Sequence, residues 1–174
     1  MGAIQDSING MLGSVAGAAV AIKHSKEAEE SKVLAAENHA SLTEGEAMRA
    51  THASNEEINK WKTDKVDTGE KDPAGKPIMD TMSNMHAAAN VRLGQANSEL
   101  EAANKSGDAV RVAKAMTERQ AAQKAFQSLH DEYTAMIDRA DRAAAMRASA
   151  VAASGRAESL RGKYDSKWTL GGKR

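Results

Sequence analysis

Residues 33–61 read VLAAENHASLTEGEAMRATHASNEEINKW. Val33, Ala40, Ala47 and Trp61 stand at multiples of seven, with Ser54 in the same register. Apolar or small side chains recurring every seven residues mark a helix that lies lengthwise against another helix. Most of the seam is alanine or serine, so the two backbones must approach closely. The residues around it are Ala, Glu, Lys, Leu and Met, all strong helix formers. Gly45 is a candidate break. Ser41-Leu42-Thr43-Glu44 and Ser54-Asn55-Glu56-Glu57 both fit a capping box at which a helix can restart. The simpler reading is one helix over 23–62, kinked at most.

Toward the N-terminus lies Ser7–Ile22, SINGMLGSVAGAAVAI, sixteen residues without a charge. As a helix it spans about 24 Å, short of the roughly 30 Å hydrocarbon core of a bilayer. Ile4, Ile8, Leu12, Val15 and Ile22 fall on one helical stripe and are candidate membrane or apolar contacts. Gly10, Gly13 and Gly17 form a second stripe, and Gly13-x-x-x-Gly17 has the spacing that lets helices pack backbone to backbone. Each helical glycine costs about 1 kcal/mol relative to alanine, a cost easier to offset in a tightly packed assembly. A secretory leader would want a basic start, whereas the first charged side chain here is Asp6.

Toward the C-terminus, residues 63–77, TDKVDTGEKDPAGKP, hold both prolines and an Asp-Pro-Ala-Gly turn signal. They read as a structureless linker at which the chain turns around. Residues 78–104 read as a helix whose Met79, Met82 and Met85 fill core gaps. Asp108 is an expected N-cap. Residues 105–153 hold the longest helix, about 65 Å from Ala109 to Ala153. Its expected stripe runs Val112, Met116, Ala122, Phe126, Leu129, Tyr133, Met136, Ile137, Ala140, Ala144, Ala148 and Val151. The tightest packing is expected at Phe126, Leu129, Tyr133, Met136 and Ile137. Ser154-Gly155 is expected to end it, leaving 154–174 as a separate basic piece. The fold class is therefore all-α: an uncharged tip over 1–22, then long helices around a central polar linker, as a hairpin or rod.

Composition bounds the energetics. One Phe, two Trp and two Tyr accompany about a fifth alanine. Burial contributes about 25 cal/mol per Å², and alanine offers little area. Stability is expected to require an oligomer or a partner. Net charge is zero, but residues 1–104 carry ten basic and sixteen acidic side chains, and 105–174 carry fourteen and eight. That asymmetry suits head-to-tail packing or a basic end near a polyanion. The basic end comprises Arg156, Arg161, Lys163, Lys167, Lys173 and Arg174, interleaved with Tyr164 and Trp168. It is a candidate contact for DNA phosphates or for an acidic partner. No histidines pair at helical spacing, no cysteine is present, and no phosphate-binding or nucleophile motif occurs. No catalytic residue, metal ligand or cofactor is expected, and the chain reads as no enzyme.

The opening MGAIQDSINGMLGSVAGAAVA, followed by long Ala/Gln/Glu/Lys helices and a short basic tail, resembles internal virion proteins of short-tailed bacteriophages and the DNA pilot proteins of small phages. The resemblance covers the first 50 residues in style and the remainder in composition. It implies a structural protein of the virion that forms a homo-oligomer beside portal or tail proteins. It also implies passage of the tip into the host envelope on ejection, to help conduct DNA. A helical scaffold, tape-measure or connector component without a membrane step, or a secreted membrane-permeabilising effector, are the alternative expectations.

Overall fold

The computed structural model describes residues 2–168, with side chains from residue 17 onward. The chain is 87% helical and predominantly all-α. Its order is α1 (Gly2–Thr63), β1 (Lys65–Lys71), β2 (Pro77–Thr81), α2 (Met82–Ser106) and α3 (Ala109–Trp168). It divides into two compact units, one of residues 1–48 with 145–174, the other of residues 49–144.

Helix α1 runs without interruption through Gly45 and through both capping-box patterns. Ser54 faces inward and is buried, while the Thr43 hydroxyl donates back to the His39 carbonyl within the helix. One glycine's propensity deficit is small beside a seam that holds the helix on both sides of it.

In the first unit, α1 buries Val33, Ala40 and Ala47, the first and last at 2% exposure. Helix α3 contributes Ala150, Ala153, Ala157 and Tyr164. Ala40, Ala153 and Ala157 form one buried cluster, with Ala36 packed against it. Glu37 meets Arg161, and eight residues earlier Glu29 meets Lys167, so the two helical segments run antiparallel. The expected stop at Ser154-Gly155 does not occur, and α3 is helical to Trp168. Ala153 and Ala157, buried on either side of Gly155, hold that stretch in the helix.

In the second unit, the end of α1 and helix α2 both pack on α3. Ser54, Ala89, Ala103, Ala115, Met136 and Ala143 are buried. Arg139 Nε donates to Glu57 Oε2 at 2.8 Å, Arg111 Nε to Glu99 Oε1 at 3.0 Å, and Arg119 Nε to Asn97 Oδ1 at 2.8 Å. Phe126, Leu129, Tyr133 and Ile137 are half-buried and Met136 is buried.

The long stripe expected on α3 drifts out of phase. Met116 and Val151 are exposed, the latter at 74%, as are Ala144 and Ala148. Its buried positions are Ala153 and, in one register, Ala115, Met136, Ala143, Ala150, Ala157 and Tyr164. From Met136 onward these five fall seven apart, as do Val33, Ala40, Ala47, Ser54 and Trp61 on α1. A helix held against another at 3.5 residues per turn departs by about 20° per heptad from one counted at 3.6. Steps of four through Ala140, Ala144 and Ala148 overshoot a full turn by about 40° each and leave the seam.

The segment 63–77 is not a structureless linker. It belongs to an antiparallel hairpin in which Lys65 pairs with Thr81, Val66 with Asp80, Asp67 with Met79, and Lys71 with Pro77. Asp72 holds the tip: its Oδ1 accepts from the backbone N–H of Ala74 and of Lys76, each at 2.9 Å. Its own N–H donates to the Lys76 carbonyl at 2.9 Å. Gly75 (φ +80°) closes the turn, and Gly69 (φ +78°) sits in the irregular stretch between Asp67 and Lys71. Both need the left-handed backbone that glycine adopts without strain. The helix expected from Ile78 begins at Met82, because Ile78–Thr81 belong to β2. The Thr81 hydroxyl caps α2 by accepting from Asn84 N–H at 3.2 Å. Gly107 (φ +71°) ends α2, and Asp108 Oδ1 caps α3 by accepting from Val110 and Arg111 N–H at 2.9 and 3.2 Å.

A seam of small residues leaves no room for large ones. Ala40→Leu is expected to lower unfolding stability by about 1–3 kcal/mol through overpacking. Ala35→Leu, on the exposed face of the same helix, should leave it within about 0.5 kcal/mol. Thermal and urea melts followed by circular dichroism measure both.

Candidate functional site

The N-terminal stretch of α1 is helical from Gly2. The side chains of Ile4, Ile8, Leu12 and Val15, and the glycines Gly10 and Gly13, lie outside the residues whose side chains are described. Residues 17–28 are all exposed, with Val20 at 55% and Ile22 at 57%. A Cβ added at Gly17 would meet nothing within 4 Å, so its open face is not filled by this chain's described atoms. Among the described residues, no helix is long and apolar enough to cross a membrane.

The register of α1 carries into this stretch. Ten of its half-buried and buried residues step by alternating threes and fours through Glu29, Val33, Ala36, Ala40, Thr43, Ala47, Ala50, Ser54, Glu57 and Trp61, with Glu37, Gly45, Thr51 and Ile58 half-buried beside them. Counted backwards along the sequence, the same steps reach Lys26, Ile22, Ala19, Val15, Leu12 and Ile8. Four of the five expected apolar-contact residues thus share the frame of the internal seam; Ile4 falls outside it.

The basic end of α3 is partly taken up by α1. Arg161 grips Glu37 through two parallel bonds, Nε to Oε1 at 2.9 Å and an NH2 nitrogen to Oε2 at 2.7 Å. Such a fork holds geometry as well as charge. Lys167 Nζ donates to Glu29 Oε1 and Trp168 Nε1–H to Glu29 Oε2, both at 2.6 Å. Lys167 Nζ also lies 4.8 Å from the centre of the Trp168 ring. These hydrogen bonds hold the Glu29 and Glu37 carboxyls below their ordinary range and raise the Arg161 guanidinium. Tyr164 is buried, and burial raises its phenol, with the nearby Glu30 carboxylate adding to the effect. Arg156 and Lys163 are exposed, and Lys173 and Arg174 lie outside the described residues.

A second constellation escapes the sequence. His86 of α2 and His130 of α3 lie face to face, with Nε2 and Nδ1 3.3 Å apart and ring planes 10° from parallel. His86 also stacks on Tyr133 at 5.0 Å and on Phe126 at 5.4 Å, and Trp61 meets it edge-on at 6.4 Å. Spacing within one helix does not reveal a pair formed between two helices. The signal available was the heptad frame of α2, in which His86, Ala89, Leu93 and Ala96 share one seam. Burial lowers the His86 pKa from its ordinary 6.5, and the neighbouring His130 lowers it further. Among the described residues, no three His, Asp or Glu side chains converge to hold a metal ion.

The lowered His86 pKa sets a sign. Below pH 6.5 the unfolded chain binds a proton that the folded cluster resists, so stability is intact above that pH and declines beneath it. The paired carboxylates Glu29, Glu37 and Glu57, also lowered, lose their contribution only further into acid, below about 4.5. Melting temperature is expected to fall between pH 6.5 and 5. His86→Phe, which keeps the ring stacking and removes this titration, is expected to flatten that decline. No protein-family model, curated protein or solved structure matches this chain.

Proposed function

We propose that this chain is a non-enzymatic structural protein of a bacteriophage virion that assembles with copies of itself near the portal or DNA exit. On ejection, its N-terminal stretch engages the host envelope. The observation that carries the reading is that residues 17–28 of α1, which include Val20 and Ile22, stay exposed, while the sequence frame of the internal seam continues through them toward Ile8. A surface of that kind is ordinarily covered by a partner. Glycine at 13 and 17 lets that partner approach closely. The exposed Arg156 and Lys163 offer positive charge to DNA phosphates or to an acidic portal or tail protein, through contacts weakened by salt. Homo-oligomerisation also suits a chain whose interior is mostly alanine.

A scaffold or connector role without a membrane step is the second reading. It is favoured by the length of the uncharged run, about 24 Å as a helix against the roughly 30 Å of hydrocarbon. Light scattering of the full chain, with and without lipid vesicles, separates the two. The leading reading expects an assembly larger than one copy and release of vesicle contents. The second expects the assembly without release. Gly13→Leu with Gly17→Leu is expected to reduce assembly while leaving the helical circular dichroism signal near its original strength. A single-copy mass that binds no vesicles would sink the leading reading.

A further inference from the structure

The two ion pairs between the antiparallel segments of the first unit mark its two sides. Glu37 and Arg161 lie on one side of the seam, four places after Val33 and after Ala157. Glu29 and Lys167 lie on the other, four places before Val33 and three after Tyr164. Residues three, four or seven apart share a helix face. Glu30 and Glu44, seven on either side of Glu37, therefore share its side, as do Glu158 and Asp165 around Arg161. Lys32 shares the side of Glu29, and Lys163 and Arg156 that of Lys167. One edge of the unit is thus acidic and the other basic. The same pairs set heights along the seam, with Val33 level with Tyr164, Ala40 with Ala157 and Ala47 with Ala150.

We propose that the first units of neighbouring copies stand side by side and point the same way, the acidic edge of one against the basic edge of the next. This rests on the self-association proposed above and names its surface and orientation.

The two edges match height for height. Lys32 and Lys163 stand level with Glu30 and Asp165, and Arg156 with Glu44 and Glu158. The exceptions match as well. Arg147, two heptads before Arg161, is a base on the acidic edge, and Glu46, two heptads after Lys32, is an acid on the basic edge. They lie within about 6 Å of one height. Exposed apolar side chains follow the same rule: Leu34 of the acidic edge is level with Leu160 of the basic edge, and Met48 and Val151 with Met146. Between Glu44 and Glu158 a groove of about 280 Å³ opens over Ala40 and Ala157. It is placed to take the Arg156 guanidinium of the next copy, whose fork suits carboxylates. Glu44, Glu158, Arg156 and Lys163 are exposed and make no ion pair among the described residues, so their charges are open to a neighbour. A two-fold pairing through either edge would set like charge on like, because such a contact uses one patch twice. The contact is therefore head-to-tail and repeats from copy to copy, around a closed ring or along an open row.

In the full-length protein, Arg156→Glu with Lys163→Glu is expected to weaken assembly roughly 10- to 30-fold in sedimentation, and Glu44→Lys with Glu158→Lys to do the same. Mixed in equal amounts, the two variants are expected to recover assembly, since one then carries two acidic edges and the other two basic ones. Raised salt is expected to weaken the unaltered assembly. Circular dichroism of each variant checks that the helices persist. Assembly that survives either reversal, or that fails to recover in the mixture, would overturn the edge-to-edge contact while leaving self-association intact. A single-copy mass for the unaltered chain would overturn both.

Discussion

Close approach of helices across alanine is the constraint on which this structure depends. Val33, Ala40, Ala47 and Ser54 on α1, and Ala143, Ala150 and Ala157 on α3, are buried with little side chain to bury. Each contributes little hydrophobic area, so the stabilisation comes from many shallow contacts. Edge ion pairs then fix alignment. Arg161 on Glu37 and Arg139 on Glu57 sit beside the seam at partly exposed positions, where a pair contributes modestly to stability but sets which residues face each other. The larger side chains gather in one place: Trp61, Phe126 and Tyr133, three of the chain's five aromatics, surround the two stacked histidines.

The all-α class and the α1 seam were legible in the sequence because Val33, Ala40, Ala47, Ser54 and Trp61 repeat with little competing apolar signal nearby. Helix α3 was harder. It is alanine-rich on every face, so Ala143 and Ala144 look alike until a partner helix selects one. The cap at Asp108 was readable from local chemistry, since its hydrogen bonds reach only Val110 and Arg111. The hairpin was not, because β1 and β2 lack the apolar alternation that marks a strand. Lys65, Asp67, Glu70 and Lys71 are exposed, and the pairing is held by Asp72 and two left-handed glycines. The prolines and the Asp-Pro-Ala-Gly signal mark the turn, but nothing in the segment marks the paired strands on either side of it.

The candidate sites divide along the same line. Arg161 and Lys167 were legible as positive charge, but not as partners of Glu37 and Glu29, because that pairing depends on a fold 124 and 138 residues long in sequence separation. The His86–His130 contact is likewise a product of two helices meeting. The apolar residues before Ile22 were visible as a greasy run. Only the observed burial along 29–61 turns that run into the continuation of a specific register.

A seam built of many small, nearly equal contacts also has a mechanical consequence. A core of a few large side chains resists pulling until it gives way at once. In the first unit, no single contact among Val33, Ala40, Ala47, Ala150 and Ala157 dominates. Traction on the end that bears Trp168 would therefore meet one modest step at a time, with the forked bond from Arg161 to Glu37 as an early catch. Such helices peel apart gradually and re-engage gradually, so the segment can yield under load without losing its register.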